Sequence, residues 1–246
     1  MSDDTLVAEY LVETEAAWIN EARDTLVTPY RKKMAEHPYL REAIAGTLPR
    51  EKLLCLAENT LWLITSFPEV IATFASRCPR YDHGLKKQLL ANAWSEHEHP
   101  MFLARAVKAL GGDPAPILKG PDWGPFQPKR VVICMRYWMH YAAHQLSWPE
   151  ALAAVPVGIE SFVPYQMNPI WKSLTTNYGL SADDTEWFAI HGGEVEMEHG
   201  NEGIRRLEKY VHPRDLEMQQ ACRHAIKQSA DILCDWMLET WYFNTP

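Results

Sequence analysis

Along this chain apolar residues recur at intervals of three and four, the spacing of helices that bury one face. From Leu6 to about Glu36 that spacing puts Trp18, Leu26, Tyr30 and Met34 on one side. His37-Pro38 interrupts the run, and Pro49 in GTLPREK opens a second helix at its first turn. The second helix, Glu51 to about Phe67, reads LLCLAENTLWLITSF. It is apolar all round except for Glu58 and Asn59, so it belongs at the centre of a bundle. Pro68 bends or restarts it. A third long helix covers HGLKKQLLANAWSEHEHPMFLARAVKALGG, kinked or broken at Pro100 and ended by Gly111-Gly112. The proline-rich stretch DPAPILKGPDWGPFQP reads as a loop. Helices resume in KRVVICMRYWMHYAAHQL, in PEALAAVPVGIESFVPYQMNPIWKSLTTNYG, from Ser181 to Tyr210, and from about Pro213 to Trp241. No segment sustains a two-residue alternation, so no sheet is expected. The pattern predicts an all-α bundle of about seven helices. Nearly all-apolar helices flank the proline-rich stretch, so neither half can close its own core and residues 1–246 form a single domain.

Composition narrows the function classes. Hydrophobic residues make up 47% of the 246 and charged residues 23%, enough apolar material for one continuous core. A net charge of −8 speaks against a nucleic-acid partner. The short basic runs RKK at 31–33 and RR at 205–206 read as solvated helix faces. Cys55, Cys78, Cys134, Cys222 and Cys234 show no CxxC spacing, so neither a disulfide framework nor a zinc knuckle is expected. The acidic N-terminus is no signal peptide, and no apolar run is long enough to span a membrane. A soluble, cytoplasmic protein with a small-molecule substrate is the expectation.

Three polar clusters stand out. WSEHEHP carries Glu96, His97, Glu98 and His99, and Glu96 and His99 share one face of a helix, as two ligands of one metal must. Glu160 is a lone carboxylate in VPVGIESFVPY, costly to bury unpaired. IHGGEVEMEHGNEG holds His191, Glu194, Glu196, Glu198, His199 and Glu202, with Glu196 and His199 a second Glu-x-x-His pair. The first and third clusters can each be read as solvated helix faces. Two Glu-x-x-His pairs plus an isolated Glu nevertheless approach the formula of di-iron and di-manganese carboxylate sites in helical bundles. His140 and His144, four apart, form a weaker pair that suits hydrogen-bonded core residues.

The order of HPYLREAIAGTLPREKLLCLAENTLWL, LLANAWSEHEHPMFLARAVKALGGD, EALAAVPVGIESFVP and WFAIHGGEVEMEHGNEG resembles the heme-oxygenase-like superfamily, over about residues 30 to 240. Within it the chain looks most like the di-metal oxidase branch. The resemblance implies metal ligands at Glu96, His99, Glu160, His191 and His199, with Glu196 as the remaining acid. His191 sits one residue too far from His199 for the usual spacing, which a π-bulge near Gly192-Gly193 would absorb. Glu198 and Glu58 are reserve ligands. TenA-like hydrolases carry a cysteine after a central proline, where this chain has Val157 after Pro156. Heme oxygenase needs an early proximal histidine, and His37 in its His-Pro context suits a helix boundary better. The implied activity is a non-heme oxidase or oxygenase acting with O₂ on a small organic metabolite in a biosynthetic pathway, an amino-acid derivative being mildly favoured. It would hold about two ferrous ions, with manganese an alternative. Trp138, Tyr141, Phe162 and Tyr165 would wall a substrate pocket, with His144 beside them; Arg136 would anchor a carboxylate or, the more ordinary role, form a surface salt bridge. The competing readings are a metal-independent hydrolase using Cys134 or another cysteine, and a non-catalytic binding module. Apolar helix surfaces would suit a homodimer.

Overall fold

The computed structural model describes residues 14–120 and 124–243, and for residues 194–199 the backbone alone. It is an all-helical bundle. Helix α1 spans residues 17–36, followed by α2 (Pro38–Ala45), α3 (Arg50–Ile64), α4 (Phe67–Arg77), α5 (His83–Glu96), α6 (His99–Leu110) and α7 (Ala115–Lys119). Then come α8 (Arg130–His144), α9 (residues 148–160), α10 (Val163–Thr176), α11 (Glu186–His191), α12 (Glu194–Tyr210) and α13 (residues 216–243).

The predicted helices are present, cut into shorter pieces wherever a proline or glycine pair offered a stop. Phe67 opens α4 rather than closing α3, because Pro68 fits the first turn of a new helix. The proline-rich stretch is not all loop, since α7 lies within it. The long run from Pro149 to Gly179 divides at Ser161-Phe162, with Pro164 in the first turn of α10. Gly46 and Gly111 stop α2 and α6 in the left-handed conformation that glycine adopts most cheaply.

Among the described residues three helices contain π-helical segments: Arg23–Val27 in α1, Ala153–Glu160 in α9 and Asp231–Met237 in α13. Each adds to the residues per turn and shifts the register of the helix beyond it. In α1 this turns Val27 into the core and leaves Leu26, the residue expected there, only partly covered.

Among the described residues one hydrophobic core runs through the molecule. At its middle lies α9, whose residues from Ala153 to Glu160 are all buried. Small residues let the neighbours close on it. A Cβ on Gly158 would strike Ser229 of α13, and one on Gly200 of α12 would come within 2.9 Å of the Ser161 Cα. A Cβ on Gly203 would meet Pro156. In the basic pair at 205–206, Arg205 is exposed as expected and Arg206 is partly buried. The RKK prediction is corrected at one position: Arg31 is buried, because α10 and α13 fold over that face of α1.

Candidate metal centre

Two helix breaks build the site. The first lies between α5 and α6. Glu96 is the last residue of α5 and His99 the first of α6, so the Glu-x-x-His pair straddles a corner instead of sharing one continuous helix. Pro100 suits the first turn of α6, where its missing N–H is not needed. Glu96 and His99 turn inward and are buried, whereas Trp94, His97 and Glu98 are exposed.

The second break lies between α11 and α12. The expected π-bulge at Gly192-Gly193 is absent. His191 ends α11, Gly193 takes an extended conformation (φ −92°, ψ 179°), and α12 restarts at Glu194. An extended residue stops a helix outright, which absorbs the extra residue more simply than a wide turn. Glycine is required at 192 because a Cβ there would lie 2.7 Å from the backbone N and Cα of Asn168. The Asn168 side-chain amide donates to the Gly192 carbonyl at 2.7 Å and holds the break in place.

These corners bring Glu96, His99 and His191 together. All three are buried, and one ligand atom from each lies within 4.8 Å of the others. The imidazole rings of His99 and His191 meet edge to face with centroids 4.8 Å apart. His191 Nδ1 lies 2.8 Å from the Trp187 carbonyl oxygen, to which it can only donate. That bond places the proton on Nδ1 and leaves Nε2 with a free lone pair, the tautomer a metal ligand needs. The indole of Trp187 stacks on the same ring at 4.2 Å and fixes its plane. His99 Nδ1 lies 2.7 Å from a Glu96 carboxylate oxygen, yet the two are not aligned as a hydrogen bond and the nitrogen has no other partner. An imidazole nitrogen and a carboxylate oxygen this close without an aligned hydrogen bond suit convergence on a shared cation. An ion pair between Arg105 and Glu186 ties α6 to α11, the helices bearing the two histidines.

Glu160, the lone carboxylate, is buried at the end of the α9 π-helical segment. At the backbone level α12 meets this corner, since Gly200 packs on Ser161, one residue beyond Glu160. Glu196, Glu198 and His199 lie on α12, but their side chains fall outside the described residues.

The reserve ligand Glu58 is not at the centre. It abuts Gly112, beyond the far end of α6, about 18 Å from His99 at 1.5 Å per residue. Burial raises its carboxyl above the ordinary range.

The predicted pocket residues do not form one wall. Trp138 donates from its indole to Ser229 at 2.7 Å, while Tyr141 and His144 lie exposed on the outer side of α8. Arg136 stacks over the Trp62 ring at 4.5 Å. Phe162 is fully buried core, and Tyr165 lies beneath the guanidinium of Arg31. Two surface depressions, of about 600 and 660 Å³, are lined by none of these residues. Sequence reasoning missed Trp187 and Asn168. Trp187 precedes His191 by four residues in a helix, so its carbonyl was within reach of that ring by spacing alone.

Comparison with known proteins decides the family. Residues 62–233, well over half the chain and including every proposed metal ligand except the reserve Glu58, match the family described as iron-containing redox enzyme. The chain belongs to that family. No curated protein matches it in sequence. Solved structures agree on the fold. A TenA homologue from Pseudomonas syringae is 15% identical with a TM-score of 0.79, covering 92% of this chain and 93% of its own. A domain of unknown function with a heme oxygenase-like fold from Shewanella denitrificans is 12% identical, TM-score 0.74, covering 92% of both chains. A TenA homologue from P. horikoshii is 15% identical, TM-score 0.71, covering 92% of this chain and 98% of its own. At these identities the likeness establishes the heme-oxygenase-like fold alone. Among the described residues of this redox-family chain, no helix is long and apolar enough to cross a membrane.

Proposed function

We propose that this chain is a non-heme di-iron oxidase or oxygenase that uses O₂ on a small organic metabolite. The observation carrying the reading is the buried trio Glu96, His99 and His191, with the His191 tautomer set by Trp187. Two imidazoles and a carboxylate make a donor set suited to ferrous iron, and the unbonded, buried Nδ1 of His99 fits a metal ligand. Glu160, with Glu196 and His199 of α12, is assigned to the second ion. When bound, iron supplies the electrons that reduce O₂. The chain's part is to hold it: Glu96 offsets the ion's charge, His99 and His191 fix its position, and the Trp187 carbonyl raises the basicity of the His191 ring. The three residues are themselves buried, away from bulk water.

A cysteine-dependent hydrolase finds less support. Cys55, Cys78, Cys222 and Cys234 are buried, and burial raises each thiol, Cys222 to about 12, so little thiolate forms. Cys134 sits on the exposed side of α8, and Val157 follows Pro156 within the core.

The test is anaerobic purification, addition of ferrous iron, metal analysis, and an optical spectrum after admitting O₂. About two irons per chain, with a visible band that disappears in Glu160→Ala, is the expected result. Absence of specific binding, or binding indifferent to replacement of Glu160, His191 and His199, would overturn the proposal.

A further inference from the structure

Arg31 follows one π-helical segment on its own helix and neighbours residues in or next to the other two. Arg31 lies one turn after the segment Arg23–Val27 on α1. One of its terminal nitrogens donates to the carbonyl of Ser161 at 2.7 Å, directly after the α9 segment, and the other to the Tyr165 hydroxyl at 3.0 Å. Cys234, in the α13 segment, also acts on it electrostatically. π-Helical turns are rare and concentrate at functional sites.

Arg31 is only 3% exposed, and its hydrogen bonds go to a backbone carbonyl and a phenol hydroxyl rather than to a carboxylate. The Tyr165 ring lies 4.0 Å and the Phe162 ring 5.8 Å from the guanidinium carbon. Asp231 takes the Tyr30 hydroxyl and Lys227, and Asp235 takes Lys33 with one oxygen while its other is buried without a partner. The Nε–H of Arg31 is buried with no acceptor. One residue beyond Tyr165, Gln166 is completely buried with both amide atoms unpartnered. A buried cation without a counter-ion is costly, and a structural role alone would be served as well by an apolar isostere.

We propose that Arg31 is the anchor for the carboxylate of a small organic acid, with Gln166 holding a second polar group of the same molecule. A single cation suits a monoanion better than a phosphate dianion, and a guanidinium edge matches a carboxylate in shape. The Phe162 and Tyr165 rings favour an apolar body. That this acid is the substrate rests on the proposed redox function; the carboxylate site itself does not.

The experiment is thermal-shift titration of the full chain, metal-free and iron-loaded, with butyrate, octanoate, phenylacetate, leucine and tyrosine, each beside its primary amide. At least one acid is expected to raise the melting temperature saturably while its amide does not. Arg31→Met should fold with an unchanged or higher melting temperature and bind that acid about 100-fold more weakly. Arg31→Lys, which keeps the charge and loses the fork, should retain part of the binding, and it carries the test if Arg31→Met fails to fold. The proposal is overturned if no acid outdoes its amide, or if Arg31→Met, or Arg31→Lys in its place, responds as the wild type does. Acid binding without iron binding would leave this site standing and remove the di-iron reading; iron binding without acid binding would do the reverse.

Discussion

The two corners that bring Glu96, His99 and His191 together are made by opposite chemistry. Between α5 and α6 the break is a proline break, and its ligands sit on either side of two exposed residues, His97 and Glu98. Between α11 and α12 it is a glycine break, locked by the Asn168 amide and by contact too close for any side chain at 192. A proline at a first turn tolerates replacement, because other residues can adopt its φ. A glycine pressed against backbone does not, because a Cβ has nowhere to go. One half of the site is thus held by local preference and the other by tertiary packing.

The strongest test of the pairing is the ligands themselves. Glu96→Ala and His191→Ala should each weaken iron binding by roughly 100-fold or more, since even loss of outer partners of a ligand costs about 10–100-fold. His97→Ala and Glu98→Ala, one and two residues from Glu96 but facing water, should leave iron content unchanged. Equal losses in all four would break the corner geometry.

Next in size is the contrast between the breaks. Gly192→Ala should destabilise the fold by about 2–3 kcal/mol through its clash with the Asn168 backbone. Pro100→Ala should cost only about 0.4–1 kcal/mol, mostly from added freedom in the unfolded chain. Urea midpoints of the two variants read this difference directly, and similar values would erase the contrast between a proline and a glycine break. Asn168→Ala should fall between them, at about 1 kcal/mol for one lost hydrogen bond.

A third break, at His37-Pro38, gives the smallest effect and a pH signature. The Nδ1 of His37 accepts the Tyr39 backbone N–H at 3.1 Å and caps α2, which only an unprotonated nitrogen can do. Burial lowers the His37 pKa, outweighing the opposing pull of Glu239. The unfolded chain therefore binds this proton more readily than the folded one. Stability is full above the ordinary histidine value of about 6.5 and is lost progressively as pH falls below it. His37→Asn, which caps without titrating, should flatten that part of the profile between pH 7.5 and 5.5.

Much of this was legible in the chain. The three-and-four spacing marked the helices, and prolines and glycines marked their ends. The Glu-x-x-His spacing at 96 and 99 identified two of the three residues that converge, even though the helix assumed to hold them is a corner. What misled was periodicity carried through a break or a register shift. A π-bulge was expected where Gly193 is extended, and Leu26 was expected in a core position that the Arg23–Val27 segment gives to Val27. Glu58 looked like a ligand because it is alone on an apolar helix, but α3 carries it to the wrong end of α6.

By itself the sequence determined the helical class, the punctuation and four inward-facing polar residues, Glu96, His99, Glu160 and His191, because those depend on local spacing and the cost of burying charge. The tertiary structure decided which of them meet. His191 joins Glu96 and His99 only because α11 stops where Asn168 and Gly192 touch, a contact between residues 24 apart in the chain. Arg31, in a basic run that reads as solvated, is buried only because α10 and α13 close over α1. Burial of that kind belongs to no segment, so no local pattern could announce it.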